Sequence, residues 1–494
     1  MARVLFVLPV PESYGAERPL LNFMQGNAGI SLMAGLLKAH GHETEAFVAG
    51  HNHMAAGRRL LNLTIARFRP DVVGFSAMAP TFQASVHLAR SLRRHHPGLY
   101  LVAGGPHVSL NPETTLDAGF DAACVGEGEH PLLELTEQLS RGQRPTSIAN
   151  FWFRNGTETE RNPPRPFLED LDSLPPADYD VWQKWVDPEM LSLYVKAGMP
   201  TVSVLLSRGC PFRCTYCSNH ALSRLASGPY VRVRSPDAIV ADVRTASQLH
   251  PGVHDIYLEV ETIGLNQEWA LALFERLEAF NAERTSPLRF GCNLRVIPGL
   301  QPDALFAAMQ TANVRFLNIG LESGSERLRT EVLHRHYSND DMVRTVAAAR
   351  RYGLRFTLYN LIGIPGETYE DFLETVRMNR ILAPDEHMTS IFEPYPGTEL
   401  HVVCEERGYL RTVRYDPLGR QRAQLDLPGF SRATIQRCSN WFDYYVFKGR
   451  MSNRQLLLRI GTRWFRSSRL LVTVSHWRPL ARILRILKSR VRPA

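Results

Sequence analysis

Three cysteines lie close together in the segment Arg208-Gly-Cys210-Pro-Phe-Arg-Cys214-Thr-Tyr-Cys217. They directly follow an apolar run, Val202–Leu206, that predicts a buried strand. Thiolates are soft ligands that favour iron–sulfur clusters, zinc and Cu(I). A cubane cluster needs a ligand on each of four irons, so three cysteines leave one iron open for another molecule. The spacing C-x3-C-x2-C therefore favours an open-site iron–sulfur cluster.

Two other uses of these cysteines stay open on spacing alone. A structural zinc site is closed by a fourth Cys or His, and His220 is the obvious candidate. A disulfide is disfavoured, because seven cysteines in 494 residues are sparse and odd in number for a secreted scaffold. The other cysteines are scattered and are expected to be small buried hydrophobic residues: Cys124, Cys292, Cys404 and Cys438.

The first 145 residues alternate short apolar strands with helical patterns. The predicted strands are Val4–Leu8, Glu43–Val48, Val72–Phe75, Tyr100–Ala103 and Ala122–Val125. Such alternation predicts an α/β fold with a doubly wound, Rossmann-like parallel sheet over residues 1–145. Sheets of this kind bind ligands at the carboxyl ends of their strands.

The rest of the chain divides into four further segments. Residues 146–195 are rich in proline and predict a linker. Residues 196–395 repeat the alternation six times, which fits a partial (βα)6 TIM-type barrel better than a second open sheet. The strands predicted there are Val202–Leu206, Asp255–Leu258, Leu288–Gly291, Phe316–Ile319, Phe356–Leu361 and Thr389–Phe392. Residues 396–447 predict a helical cap, and residues 448–494 a basic amphipathic tail.

Composition and charge exclude several classes of protein. The hydrophobic fraction of 44% and charged fraction of 21% are those of a globular protein, not a disordered one. The net charge of +8 is uneven: 13 of the 57 Lys and Arg residues lie from Lys448 onward, which leaves 44 basic against 49 acidic residues before it. We therefore expect no nucleic-acid partner for the body of the chain. No signal peptide or apolar span is evident, so a cytoplasmic location is expected.

The cysteine segment resembles the motif of radical S-adenosylmethionine (SAM) enzymes, and the likeness extends from about Met1 to Leu400. It implies that Cys210, Cys214 and Cys217 hold a [4Fe–4S] cluster, with Tyr216 beside it. SAM would chelate the open iron and be cleaved reductively to a 5′-deoxyadenosyl radical. The electron would come from an external donor such as flavodoxin or ferredoxin.

Four later segments resemble the strand ends that surround SAM in this family. In Ile256-Tyr-Leu-Glu259-Val-Glu261-Thr, either Glu259 or Glu261 would lie near the SAM ammonium group. The resemblance also implies SAM contacts from Arg295, Glu322, Ser323, Ile364 and Gly366. The neighbouring Glu367-Thr368 equally suits capping of the following helix. The segment Glu393-Pro-Tyr-Pro-Gly397 resembles the closing strand end of the cobalamin-associated branch.

Residues 1–145 resemble the cobalamin-binding domain found upstream of many radical SAM modules. The implied cobalamin contacts are Ser76, Thr81, Gly104, Gly105, His107, Gly126, Glu127 and Gly128. His107 is equally well explained as a loop histidine at a helix start. Proteins that ligate cobalt through histidine carry Asp-x-His-x-x-Gly after the first strand, whereas Pro9–Gly15 contains no histidine. No histidine of that motif is therefore expected to bind cobalt. The alternative is a domain that binds no cofactor, or another nucleotide.

The resemblance implies a cobalamin-dependent methyltransferase that acts on an unactivated carbon, or on phosphorus, of a small-molecule substrate; the basic tail described below would suit a lipid-like one. A radical cyclase or rearrangement enzyme with the same cofactors is the first alternative. A non-catalytic cobalamin or metal sensor is the second. Methylthiolation is disfavoured, because that branch carries additional N-terminal cysteines and only Cys124 precedes Cys210 here.

The tail is the most basic part of the chain. Apolar residues at helical spacing, Leu480, Ile483, Leu484, Leu487 and Val491, alternate with arginines and lysine. A basic amphipathic helix of this kind suits an anionic membrane surface, so peripheral membrane contact is one expectation. The alternatives are docking on the acidic body of the same chain and, more weakly, nucleic-acid binding.

Overall fold

The computed structural model describes residues 1–11, 13, 16–415 and 419–467. Its N-terminal sheet has seven strands in the order β2-β1-β3-β4-β5-β6-β7, of which the first five are parallel. The strands are β1 Arg3–Val10, β2 Glu43–Gly50, β3 Val72–Ser76, β4 Tyr100–Gly104, β5 Ala122–Cys124, β6 Phe151–Asn155 and β7 Glu158–Arg161. Helices between them are α1 Ala28–Ala39, α2 Met54–Phe68, α3 Ala79–His95, α4 Pro106–Leu110, α5 Pro112–Asp117 and α6 Glu129–Ser140. The predicted doubly wound domain is confirmed, with its strand order reversing beside β1.

The segment predicted as a Pro-rich linker is more ordered than its composition indicated. β6 and β7 form a hairpin that pairs antiparallel with β5, and the alternating side chains of Phe151 and Phe153 are buried. Trp182 and Trp185 then donate indole N–H bonds of 2.8 Å to Ser31 Oγ and to the carbonyl of Ala46. Prolines at 163, 164 and 166 mark only the turn out of this hairpin. The expectation of a plain linker over 146–195 was therefore wrong, because period-two burial outweighs the proline signal.

The second sheet contains six parallel strands in chain order, β8 and β11–β15. Its strands are β8 Val202–Leu205, β11 Asp255–Glu259, β12 Arg289–Leu294, β13 Val314–Glu322, β14 Arg355–Ile362 and β15 Glu386–Ile391. A short antiparallel ribbon, β9 Ser207–Arg208 with β10 Arg232–Val233, stands beside the first strand. The helices before and around this sheet are α7 Pro188–Lys196, α8 Ser218–Leu222, α9 Pro236–Leu249, α10 Gln267–Ala282, α11 Pro302–Thr311, α12 Asn339–Arg351 and α13 Tyr369–Leu382. The predicted partial (βα)6 barrel is confirmed.

The C-terminal region adds α14 Glu399–Glu406, α15 Arg432–Phe447 and α16 Asn453–Ser467. The aromatic side chains of α15 fill a core against the outer helix α13, where Phe372 stacks edge-on with Phe442 at 6.0 Å and with Tyr445 at 5.6 Å. They therefore pack against the side of the barrel. The start of α14 approaches the mouth, since the amide of Leu400 donates to the carbonyl of Thr215 at 3.0 Å.

The predicted tail lies only in part within the described residues. In α16, Arg459 Nη2 is 2.7 Å from Glu386 Oε2, and its Nε contacts Asp443, so this part of the tail is docked on acidic groups of the chain itself. Residues 468–494, which carry the predicted amphipathic helix, lie outside the described residues. Within the described ranges, no helix is both long and apolar enough to span a bilayer.

Candidate active site

The cysteine segment leaves the carboxyl end of the first barrel strand and forms a loop closed by α8. Cys214 is buried, and Arg295 Nη1 at the end of β12 lies 2.8 Å from its Sγ. The same guanidinium stacks over the ring of Phe212, 3.6 Å from the ring centre. Burial raises the pKa of Cys217 to about 12, so in the absence of iron this thiol stays protonated. Iron–thiolate bonds must offset that cost, and the adjacent cation favours an anionic iron–sulfur cluster.

A zinc site with His220 has no support in this geometry. His220 Nδ1 lies 3.2 Å from Glu399 Oε1, which gives it a partner on α14. Among the described residues, no three His, Cys, Asp or Glu side chains are arranged to hold a single metal ion. Ligands of a cubane stand further apart than ligands of one ion, since each binds a different iron. Three thiols in one loop agree in number with a cubane that leaves one iron open.

Two carboxylates stand at and just beyond the end of β11. Glu259 lies on the same face of the strand as Tyr257, whose hydroxyl donates to Asn293 Oδ1 on the neighbouring strand β12. Burial raises the pKa of Glu259, and the charge of Glu261 raises it further. Glu261 also raises the pKa values of Cys210 and Cys217, after the larger effect of burial. Glu261 is therefore the carboxylate that lies closer to the cluster loop.

Glu322 ends β13 in an unusual backbone conformation. Its φ is +59°, in the left-handed region that non-glycine residues rarely occupy. Arg335 holds it there: Nη1 is 3.5 Å from Glu322 Oε1 and 3.2 Å from Tyr216 Oη, and Nη2 donates to the carbonyl of Gly320 at 2.8 Å. Tyr216, next to the last cluster cysteine, is thus tied to the strand end predicted to face SAM.

The loop after β14 folds back on the carboxylate of Glu367. Its Oε2 accepts hydrogen bonds from the amides of Gly363 and Ile364, the latter at 3.0 Å. Burial raises the pKa of Glu367 to about 8, although these two amide bonds oppose the shift. Thr368, as the capping interpretation expected, begins α13 and accepts from the amide of Asp371. Ile364 is buried within this turn, and Gly366 follows it at the mouth.

Orphaned polar atoms at the mouth agree with a polar ligand such as SAM. Among the described residues, Arg295 Nε, Arg335 Nε and Glu367 Oε1 are buried without a hydrogen-bond partner. Buried polar atoms without partners are uncommon in native proteins. All three belong to carboxyl-end segments of barrel strands. These positions fit a bound molecule that carries both charged and hydrogen-bonding groups.

The carboxyl edge of the N-terminal sheet forms a second polar face. The amide of Ala77 donates to the carbonyl of Gly104 at 2.9 Å, and the amide of His107 donates to the carbonyl of Ala77 at 3.3 Å. These two bonds join the loop after β3 to the loop after β4. Gly105 has a φ of +100°, and a Cβ there would lie 2.8 Å from the carbonyl oxygen of Ala77. Ser76 ends β3 and accepts from Asn27 at 3.3 Å. The glycine therefore lets these two loops pack backbone against backbone at the carboxyl edge of the sheet.

His107 is the unsatisfied group of this face. It is buried, stacks obliquely on Phe82 at 4.2 Å, and its Nδ1 has no hydrogen-bond partner among the described residues. Burial lowers the pKa of His107 to about 4, so it is neutral near pH 7. A neutral imidazole with a free nitrogen fits contact with a cofactor laid on this edge.

Three predicted cofactor residues have other partners. The hydroxyl of Thr81 closes the capping box of α3 with Met78. Ser323 is fully buried behind its strand, 3.3 Å from Thr375 Oγ1. The carboxylate of Glu127 accepts from the amide of Leu168 and from two arginines of the barrel ribbon. Their side chains are not directed at either cofactor face, whereas Gly126 and Gly128 line the loop that places Glu127.

Some residues of the site were not predicted from the sequence. Phe212, Arg335, Arg208, Arg232 and Glu129 all contact the loops just described. Arg208 stands two residues before the first cluster cysteine, and Glu129 stands two residues after Glu127. Their nearness to predicted site residues was the only sequence feature that could have indicated them. The partners of Arg208 and Arg232 lie 79 and 105 residues away along the chain, and Tyr216 lies 119 residues from Arg335, beyond the range of local patterns.

A partial parallel barrel with three thiols beyond its first strand, joined to a doubly wound sheet, defines the class of cobalamin-binding radical SAM enzymes. The chain belongs to this family: the model of the radical SAM superfamily matches residues 204–378, and that of the B12 binding domain matches residues 24–136. A [4Fe–4S] cluster, SAM and cobalamin are accordingly its cofactors, and the family assigned from the sequence is confirmed.

Two relatives and one solved structure show how far the likeness extends. An uncharacterized methyltransferase of Pyrococcus horikoshii is 28% identical over 355 residues, 71% of this chain and 73% of that protein. The anaerobic magnesium-protoporphyrin IX monomethyl ester cyclase of Rubrivivax gelatinosus is 25% identical over 413 residues, 81% of this chain and 69% of that one. The radical SAM methyltransferase TsrM of Kitasatospora setae, solved with cobalamin and a [4Fe–4S] cluster, shares the fold over 99% of both chains, with a TM-score of 0.69 and 18% identity.

Proposed function

We propose that the protein is a cobalamin-dependent radical SAM methyltransferase that methylates an unactivated carbon, or phosphorus, of a small-molecule substrate. The observation that carries the proposal is the direct joining of the two cofactor faces. Leu110, just after the Gly104–His107 loop, packs directly on Gly397: a Cβ added at Gly397 would lie only 2.8 Å from Leu110 Cβ. Helix α4 also packs against α8 of the cluster loop. Two cofactors that must exchange a group need their binding faces held close together in this way.

The chain's own residues bind and orient in this proposal. The cluster and SAM supply a carbon radical, and cobalamin supplies the methyl group. Cys210, Cys214 and Cys217 hold the cluster, and Arg295 donates to Cys214 beside it. Glu261 attracts the SAM ammonium, and the loop with Ile364 and Gly366 receives the adenine through its backbone. On the other face, Gly104 and Gly105 admit the cobalamin tail, and Ser76 offers it a hydroxyl.

An anaerobic assay tests this function. We reconstitute the protein with iron, sulfide and cobalamin, add SAM and a reductant, and quantify 5′-deoxyadenosine and S-adenosylhomocysteine. Both products are expected. Replacing Cys210, Cys214 and Cys217 with alanine should remove cluster iron and lower 5′-deoxyadenosine formation by at least about 100-fold. Cys438→Ala, in α15, is the control that keeps both; SAM cleavage retained by the triple variant would refute the assignment.

A radical cyclase is the second candidate, because the cyclase relative aligns with 81% of the chain. It predicts 5′-deoxyadenosine without S-adenosylhomocysteine in the same assay. A cobalamin or metal sensor predicts neither product. The orphaned buried atoms of Arg295 and Glu367 favour an enzyme, since they leave polar groups at the mouth for SAM.

We further propose that the enzyme is cytoplasmic, takes electrons from an external flavodoxin or ferredoxin, and contacts anionic membranes through its tail. One electron is required for each reductive cleavage, and the cysteines outside the motif are scattered and buried, without a second cluster motif in the sequence. The membrane contact is supported by exposed Leu457 and Leu458 on α16 and by the basic residues that follow.

A further inference from the structure

A buried cluster of four charged side chains joins the two domains next to the cysteine loop. We call this cluster the interdomain clamp; it consists of Glu127, Glu129, Arg208 and Arg232. The guanidinium of Arg208 is divided between the two carboxylates, with Nη1 at 3.0 Å from Glu127 Oε1 and Nη2 on Glu129. Glu129 begins α6 and its side chain is 6% exposed. One arginine thus connects two positions of the loop after β5.

The second arginine reaches the same loop from the opposite strand of the ribbon. Arg208 and Arg232 are direct partners in the β9–β10 pairing. Arg232 is 4% exposed in its side chain, lies 2.9 Å from Glu127 Oε1, and donates to the carbonyl of Leu168 at 2.9 Å. The carboxylate of Glu127 also accepts a hydrogen bond from the amide of Leu168. Both strands of the ribbon are therefore fixed to the cobalamin-binding domain.

The ribbon transmits this position to the cluster over a very short path. Only Gly209 separates Arg208 from Cys210. Gly209 has a φ of +82°, and a Cβ there would lie 2.0 Å from the carbonyl oxygen of Tyr230, so the backbone is packed against the segment leading into β10. A displacement of Arg208 must therefore displace the first cysteine.

The clamp can hold the cluster loop in place without any of its four side chains touching a cofactor. Paired charges buried between domains are fixed in distance and direction, because an unpaired buried charge is strongly unfavourable. We propose that Glu129 and Arg208 are positioning residues that hold the cluster loop at a set distance from the cobalamin face. The inference rests on the proposed function and names the contacts that bring its two cofactors into register.

Hydrogen exchange tests the clamp without any reaction. In the reconstituted holoenzyme, Glu129→Gln should speed amide exchange in residues 207–217 about tenfold and leave the outer barrel helices unchanged. The matched control is Glu134→Gln on the same helix, whose 2.6 Å pair with Arg165 lies at the surface. Arg208→Lys keeps the positive charge but can reach only one carboxylate, so its exchange rate should lie between those of wild type and Glu129→Gln. It serves as the test variant if Glu129→Gln folds poorly. Unchanged exchange in both clamp variants overturns the proposal.

A second experiment tests whether the clamp affects the reaction. Transfer of a methyl group from SAM to cobalamin needs both domains, whereas reductive cleavage of SAM needs only the barrel. Glu129→Gln should lower S-adenosylhomocysteine formation about tenfold and 5′-deoxyadenosine formation by no more than about threefold, because the displaced loop still carries all three cluster cysteines. An equal loss of both products overturns the positioning role and assigns the clamp to barrel folding. If the wild-type enzyme yields no S-adenosylhomocysteine, the proposed function fails, and the exchange measurement still decides the clamp.

Discussion

Single side chains determine the charge around the cysteine loop. Arg295 places a cation against Cys214 and Phe212, while Glu261 places a carboxylate near Cys210 and Cys217. The bound cofactor SAM carries an ammonium and a carboxylate side by side. Opposite charges on two sides of the loop suit that pair, since each group then meets its counter-charge.

The two carboxylates of β11 should differ in their effect on SAM binding. Glu261→Gln removes the carboxylate proposed to pair with the SAM ammonium group and should therefore raise the KM for SAM about tenfold. Glu259→Gln, at the last residue of β11, should change the KM by less than about threefold. Initial rates of 5′-deoxyadenosine formation against SAM concentration measure both. A larger effect at Glu259 would reverse the assignment.

At the scale of elements, loops at strand ends create both cofactor faces. Gly105 allows two loops of the cobalamin face to pack together, because its φ is +100° and a Cβ there would lie 2.8 Å from the carbonyl oxygen of Ala77. Gly105→Ala should lower cobalamin retention at least about tenfold while cluster iron stays at the wild-type level. Corrin absorbance and iron content after gel filtration are the readouts. Gly98→Ala, at a position with open space, is the control. Normal corrin retention in Gly105→Ala would show that the loop has other room for the cofactor.

The elements themselves were largely readable from the sequence. Apolar runs such as Val72–Phe75 and Tyr100–Ala103 differ by one residue from the strands observed, because central parallel strands are buried on both faces. The hairpin of β6 and β7 was missed, since neighbouring prolines outweighed the Phe151–Phe153 alternation. Glu127 was assigned to cobalamin from its motif, but its partners Arg208 and Arg232 lie far along the chain. Only the folded chain brings such charges together.

For the whole molecule, the clamp and the described start of the tail lie at different ends of the barrel. Arg208 leads into the cluster loop at the carboxyl ends of the strands, whereas Arg459 of α16 binds Glu386 at the first residue of β15. The start of the tail is thus fixed at the face opposite the mouth. A membrane bound by the tail would leave the mouth and its cofactors accessible to an electron donor.

Vesicle sedimentation decides whether the tail binds membranes. Replacing Arg478, Arg482, Arg485 and Arg492 with glutamate in the full chain should reduce sedimentation with anionic vesicles at least about tenfold, since each basic residue near the surface contributes about 1 kcal/mol. Arg58→Glu with Arg59→Glu, exposed on α2, is the control and should sediment like wild type. Binding should weaken with added salt and vanish on neutral vesicles. If the tail variant sediments normally, the docking of Arg459 on Glu386 and Asp443 is the pattern for the whole tail, which then serves the body of the protein and not a membrane.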